Sequence, residues 1–506
     1  MMTQLESLGK AEVVFREMMG FVKEAGDVKG LRIDEVERAL FDKGLTLGRY
    51  LLEAFAAAAG DGDHGETVER NGQALQRSSE RKTKSYRSIF GVLSIERYVY
   101  SVGAKRKVEW APVDGRLGLP AGEQSYVLED WMQRVCVKES FAEGVGSLRD
   151  LLGVKTSVRA AEVMTRNMAV YADRFSETKT AFAPDTEQEI VVLAADGKGV
   201  PMRRPLEQRL QEHRAATAVE EAGESSAPDQ QSSAGSKPKR LKKGEKRTRK
   251  QMAYVGAVYS IAPFQRSAED VVNELRRKQR QADRPRPQNK QVFAEMTRFR
   301  EGELINGQVR CFARLALSAI SRAGLAKRLV CLMDGQRSLW ALKENWFGRA
   351  IGVLDIFHVL ERLWQVAHAC HGEGTRAAEL QVDQHLRLLL EGKGGYVVGV
   401  YKRLGQRLKG SRAKTVRDTV TYFENNKQYM RYDEYLAAGY PIGTGVAEGA
   451  CRHFVKDRME LSGMRWEIEG AQAMLSLRAL YLNDQWDDFM EHRIQAEQEE
   501  LYAQAA

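Results

Sequence analysis

Apolar residues fall at three-to-four spacing through AEVVFREMMGFVKEAG and RIDEVERALFDKGLTLGRYLLEAFAAAAG, which predicts amphipathic helices and a helical N-terminal region over residues 1–82. The Gly- and Asp-rich GDGDHGE at 60–66 breaks that pattern. FGVLSIERYVYSV gathers β-branched and aromatic residues and reads as a strand or hairpin. PVDGRLGLP at 112–120 reads as a loop, and helical spacing resumes to about residue 180. There, FAEGVGSLRDLLGV and SVRAAEVMTRNMAVYADRF form two helical stretches joined at Gly153, with Ser157 placed to cap the second. This is either an ordinary helical hairpin or a helix-turn-helix whose Arg159 and Arg166 face DNA. Residues 83–185 are thus a second region of strand or hairpin plus helices.

From residue 186 strands and helices alternate. EIVVLAAD is too short and too apolar for a surface helix and reads as a buried strand. QMAYVGAVYSIAP at 251–263 alternates and is β-branched, and RLVCLMD and AIGVLDIF are further strands. Helical spacing fills the stretch after QMAYVGAVYSIAP to about 327, and again from His358 to about 437. GYPIGTGVAEG is a Gly-rich turn opening a helix that carries Glu448. Region 186–490 therefore reads as α/β or α+β, a mixed sheet flanked by helices with a helical insertion at about 359–440, followed by a tail at 491–506.

Composition fits a folded chain of two to four domains: 506 residues, 43% hydrophobic and 29% charged. The net charge of +9 suits a polyanionic partner. Much of it sits in one segment, about 206–250, that is poor in aromatics and reads as a flexible insertion. Its end, Lys237 to Lys250, holds nine Lys or Arg and one Glu. It is either a solvated loop or a phosphate-contacting tract, with Lys242, Lys243, Lys246, Arg247, Arg249 and Lys250 as the contacts. The five cysteines show no CxxC spacing, which excludes a zinc ribbon and fits a reducing cytoplasm. No signal-peptide core or long apolar run is present, so no membrane partner is expected.

The candidate chemistry lies in acids that close the apolar runs. Asp196 ends EIVVLAAD, Asp334 ends RLVCLMD, and each is followed by glycine. Asp355 and His358 close a third run as DIFH, and Glu448 enters from a helix. Singly, an Asp-Gly after a strand is a turn, and Glu448 with Arg452 is an i,i+4 ion pair. Jointly, carboxylates on converging rigid elements can hold Mg²⁺ or Mn²⁺, and two such ions serve phosphodiester cleavage by stabilising attacking and leaving oxygens. His358 then supports the site or simply holds its helix to the sheet.

FGVLSIERYVY, AADGKGVP, TRKQMAYVGAVYSIAP, CLMDGQRSLW, VLDIFHVLERLW and YPIGTGVAEGACRHFVKDRMELSGMRW together resemble the bacterial DDE transposases of the ISKra insertion-sequence group, relatives of the Mutator-like lineage. The similarity spans roughly 85 to 490. It implies an RNase H-like fold, the acidic triad at Asp196, Asp334 and Glu448 as catalytic and metal-holding residues, and a D-x-x-H signature at Asp355 and His358. It also implies nicking at element ends to free a 3′-hydroxyl that attacks target DNA. Double-stranded DNA, as terminal inverted repeats and target, would be the partner, bound by a dimer or larger assembly in the bacterial cytoplasm at the nucleoid. Beside Glu448, Arg452, Lys456, Arg458 and Arg465 are placed to contact phosphates, while Trp466 either stacks on a base or packs. Two alternatives share this sequence: a transposase-derived DNA-binding protein without catalysis, and a structure-specific nuclease on the same fold.

Overall fold

The computed structural model describes residues 3–28, 30–70, 72–103, 106–178, 186–203, 250–277, 279, 283–300, 302–323, 328–461 and 463–502. The chain folds as two compact units, Met1–Glu177 with Asp484–Ala506, and Thr178–Asn483. The C-terminal helix, expected to belong partly with the alternating region, joins the N-terminal unit instead.

In the first unit, α1 (Gln4–Asp27) and α2 (Ile33–Ala57) realise the predicted helical spacing. Thr3 caps α1 by accepting from the Glu6 N–H, while the Glu6 carboxylate accepts from the Thr3 N–H. The N-terminal region is not helical to residue 82: β1 (Thr67–Arg70) and β2 (Gln73–Arg77) form an antiparallel hairpin. The Asn-Gly between them is a hairpin signal that the helical reading overlooked. A second hairpin, β3 (Lys82–Ser88) with β4 (Gly91–Arg97), fulfils the predicted strand pattern, and β5 (Tyr100–Ser101) pairs with β2.

PVDGRLGLP is not a loop. It forms α3 (Pro112–Leu117), with Pro112 at the first turn and Gly118 ending it at φ 58°. Asp114 of α3 accepts from two Arg97 donors, Nε at 2.6 Å and Nη2 at 3.0 Å, in a buried bidentate pair. Around it, Ala56, Ile95, Val113 and Leu119 close a small core. α4 (Tyr126–Cys136), α5 (Phe141–Leu152) and α6 (Val158–Thr178) follow. Gly153 ends α5 at φ 66°, and the Ser157 hydroxyl accepts from the Ala160 N–H, as the sequence predicts. Arg159 is exposed and Arg166 half-buried. The C-terminal helix (Trp486–Tyr502) buries Arg493, which pairs with Glu129 at 2.6 Å and Glu497 at 3.1 Å.

The second unit is built on a five-stranded sheet. β6 (Ile190–Pro201) and β7 (Lys250–Ile261) are long antiparallel strands joined across residues 204–249. After α7 (Ala268–Arg277) comes β8 (Gln288–Met296), antiparallel to β7. This strand, and the short pair β9 (Arg298–Arg300) and β10 (Glu303–Ile305), correct the expectation of helix through residue 327. In NKQVFAEM only the second half is buried, so the alternation of a half-covered edge strand was read as helical spacing.

α8 (Gly307–Ala323), β11 (Arg328–Met333), α9 (Arg337–Phe347) and β12 (Ile351–Leu354) complete the sheet. Its order is β12-β11-β6-β7-β8, with β11 and β12 parallel to β6. Helices α10 (Ile356–His371), α11 (Arg376–Leu390), α12 (Gly394–Arg407), α13 (Gly410–Asn426) and α14 (Tyr432–Ala437) form the expected insertion. α15 (Gly445–Gly449) then runs into a π-helical segment, Ala450–Lys456, and on through α16 (Asp457–Met459) to α17 (Ile468–Leu482).

The edge strand β8 is closed by side chains. Gln472 of α17 accepts from the Met296 N–H and donates to the Ala294 carbonyl. Asn483 treats both polar groups of Val292 in the same way. These amides pair the outward backbone groups that would otherwise invite another strand. Among the described residues, no helix is long and apolar enough to cross a membrane.

Candidate metal centre

Strand register places the acids. Ala195 of β6 pairs with Met333 of β11, and Met333 pairs with Leu354 of β12. The next residue on each strand is Asp196, Asp334 and Asp355. Three aspartates therefore stand side by side across three parallel strands, Asp334 and Asp355 just past the ends of β11 and β12 and Asp196 within β6. The ladder continues one step further: the Asp355 N–H donates to the Met333 carbonyl at 2.9 Å.

Asp196 does not end its strand, as the sequence suggested. β6 continues to Pro201, and Asp196 pairs with Val255 of β7. The apolar run stops there because the strand leaves the cover of its neighbour: β11 ends one residue earlier, and Asp196 to Gly199 are only half-buried. The turn reading of Asp196-Gly197 is thereby excluded. Asp334 does leave its strand, and its Oδ1 accepts from the Gln336 N–H at 2.9 Å, an Asx turn opening α9.

Asp355 is sealed from solvent and caps α10, accepting from the Phe357 N–H at 3.1 Å. It also accepts from the Thr444 N–H at 3.2 Å and, in a very short contact, from the Thr444 hydroxyl. The glycine-rich turn before Glu448 is thus pinned to the end of β12. One turn into α10, His358 is half-buried, its Nε2 3.9 Å from Asp355 Oδ2. Asp355, His358 and exposed Glu448 form a group whose ligand atoms all lie within 4.8 Å of one another.

The five residues share one electrostatic environment. Burial raises Asp334 above the ordinary aspartate range; the Gln336 N–H pulls it down, and the charge of Asp196 pushes it up. Burial likewise raises Asp355, against the Thr444 hydroxyl and the Phe357 N–H. Glu448 is raised by the protein around it, then by Asp355, with His358 opposing. Carboxylates crowded in this way favour a shared proton or a bound cation.

Sequence reasoning missed four residues here. The Cys451 thiol donates to Asp196 Oδ2 at 3.2 Å. Burial and then Asp196 push that thiol far up, which keeps it a donor. Its position three after Glu448 was the available signal, since both fall on one helical face. Thr444 was visible only as part of GTG. Gln336 approaches Gly197, the residue after Asp196, and Tyr422 of α13 lies over Gly335. No local pattern announces either contact.

The expected phosphate contacts fare differently. Arg452, Lys456 and Arg465 are exposed. Arg458 is not available to a phosphate: it is fully buried, 5.0 Å from the Trp466 ring, with Nη1 3.2 Å from Met464 Sδ. Trp466 packs, donating its indole N–H to the Met459 carbonyl at 3.1 Å. Lys250 is exposed and pairs with Glu460 at 2.5 Å. Lys242, Lys243, Lys246, Arg247 and Arg249 lie outside the described residues. The chain matches no protein-family model and no curated protein.

Proposed function

We propose that the second unit is an RNase H-like phosphodiester-processing core, and that the chain is a DNA transposase of the DDE type. The observation that carries this reading is the row of Asp196, Asp334 and Asp355 across adjacent parallel strands, with Glu448 beside Asp355. Supporting it, the sheet has three antiparallel strands in sequence, with two further strands parallel to the first on its other side. The helical insertion falls between β12 and the Glu448 helix, where the resemblance places it.

Among the described residues the group whose ligand atoms converge is Asp355, His358 and Glu448, two carboxylates and one imidazole, a donor set that fits a hard divalent cation, and it contains neither Asp196 nor Asp334. Asp196, Asp334 and Glu448 are the residues assigned to hold Mg²⁺ or Mn²⁺, two ions in all. Such ions would supply charge stabilisation to the attacking and leaving oxygens of a phosphodiester. Asp355 lies within reach, but its oxygens already accept from Phe357 and Thr444, so its role is to fix the Glu448 turn and His358. Cys451 and the Gly197 N–H orient Asp196, the latter at 2.6 Å.

Binding of DNA is part of the same proposal. Pro201 pairs with Lys250, so the basic insertion leaves and re-enters at the acidic end of the sheet. Arg452, Lys456 and Arg465, all exposed, follow Glu448 in the chain. The test is nicking and strand transfer on element-end DNA with Mg²⁺ or Mn²⁺. Asp196→Ala and Glu448→Gln are expected to abolish both; undiminished activity in both variants would overturn the assignment. Binding without cleavage under any divalent metal would favour the non-catalytic alternative.

A further inference from the structure

We propose that Arg362, braced on the ring of Tyr422, is a substrate-contacting residue of the acidic centre, and that its guanidinium takes a non-bridging oxygen of the phosphodiester being cut. The inference rests on the proposed phosphodiester chemistry and adds to it the residue that meets the charge of the substrate.

Helix α10 starts at Asp355, which caps it. His358 lies one turn in, with Nε2 3.9 Å from Asp355 Oδ2. Arg362 lies one turn further, and positions four apart share a face of a helix. The face that borders the carboxylates with an imidazole therefore continues into a guanidinium. Glu361, the neighbour of Arg362 in the chain, turns its carboxylate to His358 Nδ1 instead, at 3.7 Å.

Tyr422 of α13 ties Arg362 to the acidic row. The guanidinium carbon stands 4.8 Å from the centre of the Tyr422 ring. The hydroxyl edge of that ring lies against Gly335, with Cζ 2.7 Å and the oxygen 2.8 Å from where a Cβ would be. Gly335 follows Asp334, so the guanidinium is one ring's breadth from the loop that carries Asp334. The charges agree with this placement. Burial pushes the Tyr422 hydroxyl up, Asp334 adds to the rise, Arg362 opposes it and Asp355 adds again. One phenol therefore senses two of the acids and the guanidinium together.

Arg362 nevertheless holds no acid. It is half-buried, and among the described residues its one hydrogen bond runs from Nη1 to Gln365 Oε1 at 3.1 Å. Arg276, Arg314 and Arg431 of the same unit also stand over rings, and each holds a carboxylate as well. Arg276 over Trp364 pairs with Asp383 at 2.6 Å, Arg314 over Phe293 with Glu295 at 2.9 Å, and Arg431 over Tyr435 with Glu434 at 3.0 Å. A guanidinium presents five donors in a planar fork that matches two oxygens of a phosphate. The ring fixes the plane of this one and Gln365 takes one donor, which leaves donors for an anion. The anion of the proposed chemistry is a phosphodiester, and an arginine aimed at a reacting phosphoryl group stabilises the charge that develops on it.

The test uses the full-length chain and two element-end duplexes, one natural and one in which the phosphate at the mapped nick is a neutral methylphosphonate. Affinities are measured in Ca²⁺, which takes oxygen ligands as Mg²⁺ does, and single-turnover nicking of the natural duplex in Mg²⁺. The preference of the wild type for the natural over the neutral duplex is expected to exceed that of Arg362→Ala by at least ~10-fold, the size of one charge-assisted hydrogen bond. Nicking by Arg362→Ala should fall on the order of 100-fold. Arg362→Lys keeps the charge but loses the fork, so it should recover part of both. Tyr422→Leu leaves Arg362 in place without its brace and should lose most of the preference. Where Arg362→Ala lowers the melting temperature, Arg362→Gln carries the same comparison. A merely structural role for Arg362 would weaken binding to both duplexes by one factor. Equal preferences in the wild type and the variant therefore overturn the proposal and leave the acidic-site reading standing. A wild type that neither nicks the natural duplex nor prefers it overturns that reading, and this proposal with it.

Discussion

Thr444 donates both its backbone N–H and its hydroxyl to the carboxylate of Asp355, which is wholly sealed from solvent. One side chain thereby joins three things: the end of β12, the start of the His358 helix, and the turn that delivers Glu448. A buried carboxylate is tolerable only while its oxygens are satisfied.

Thr444→Val keeps the shape of the side chain and removes one donor. It is expected to cost about 2 kcal/mol of stability. Nicking should fall further than that loss explains, because the Glu448 turn loses its anchor. Thr444→Ser should restore most of both. Equilibrium denaturation and a single-turnover nicking rate, measured on the same preparations, check this. Wild-type activity in the valine variant would mean that the backbone N–H alone holds the turn.

The acidic row explains how much of the centre could be read in advance. Asp196 and Asp334 close apolar runs where a strand loses the cover of its neighbour, and Asp355, still buried, caps the helix that follows its strand; each of these changes is local. The sequence therefore carried their identity, and the adjacency of the strands supplied only their alignment. Thr444 and Tyr422 were illegible for the opposite reason. Their partners, Asp355 and Gly335, are 89 and 87 positions away, so only the folded insertion brings them together. Strand β8 was missed because half of it is exposed, which leaves too few apolar positions to separate a period of two from one of 3.6. Arg458 was misassigned because a basic residue beside the Glu448 helix looks the same in sequence whether it faces solvent or the core.

Asp334 gives a pH-dependent stability with a definite sign. Its folded pKa is raised, chiefly by burial, so between the ordinary value of ~3.9 and the raised one the folded chain holds more proton than the unfolded chain. Stability therefore falls as pH rises through that window and stays lower above it. Asp334→Asn removes the penalty while keeping an oxygen for the Gln336 N–H. In EDTA at neutral pH it should melt above the wild type, and the gap should close on acidification below pH ~4. Adding Mg²⁺ should raise the wild type toward or past the variant and leave the variant little changed. A variant that melts lower in EDTA at neutral pH would contradict the burial argument.

Gly335 leaves no room for a side chain. A Cβ there would lie 2.7 Å from Tyr422 Cζ and 2.8 Å from its hydroxyl oxygen. Gly335→Ala must displace either the Tyr422 ring or the backbone that carries Asp334. With active groups, a shift of that kind costs on the order of 100-fold in rate. Gly335→Ala combined with Tyr422→Ala should recover part of the loss by removing the clash. Equal activity of the single and double variants would show that Asp334, not the ring, had moved irreversibly.

Arg452 and Arg458 separate surface chemistry from packing within one helical segment. Arg452 is exposed, whereas Arg458 lies fully buried against Trp466. Arg452→Ala should leave melting unchanged, weaken binding to all DNA sequences alike, and lower the salt slope by about one charge. Arg458→Ala should cost about 3 kcal/mol of stability through lost packing and the lost ring contact. At a temperature where it remains folded, its DNA affinity and salt slope should match the wild type. Melting curves and binding isotherms at several salt concentrations decide both cases. A lowered salt slope in Arg458→Ala would place that guanidinium at the DNA after all, which would require the Trp466 segment to open on binding.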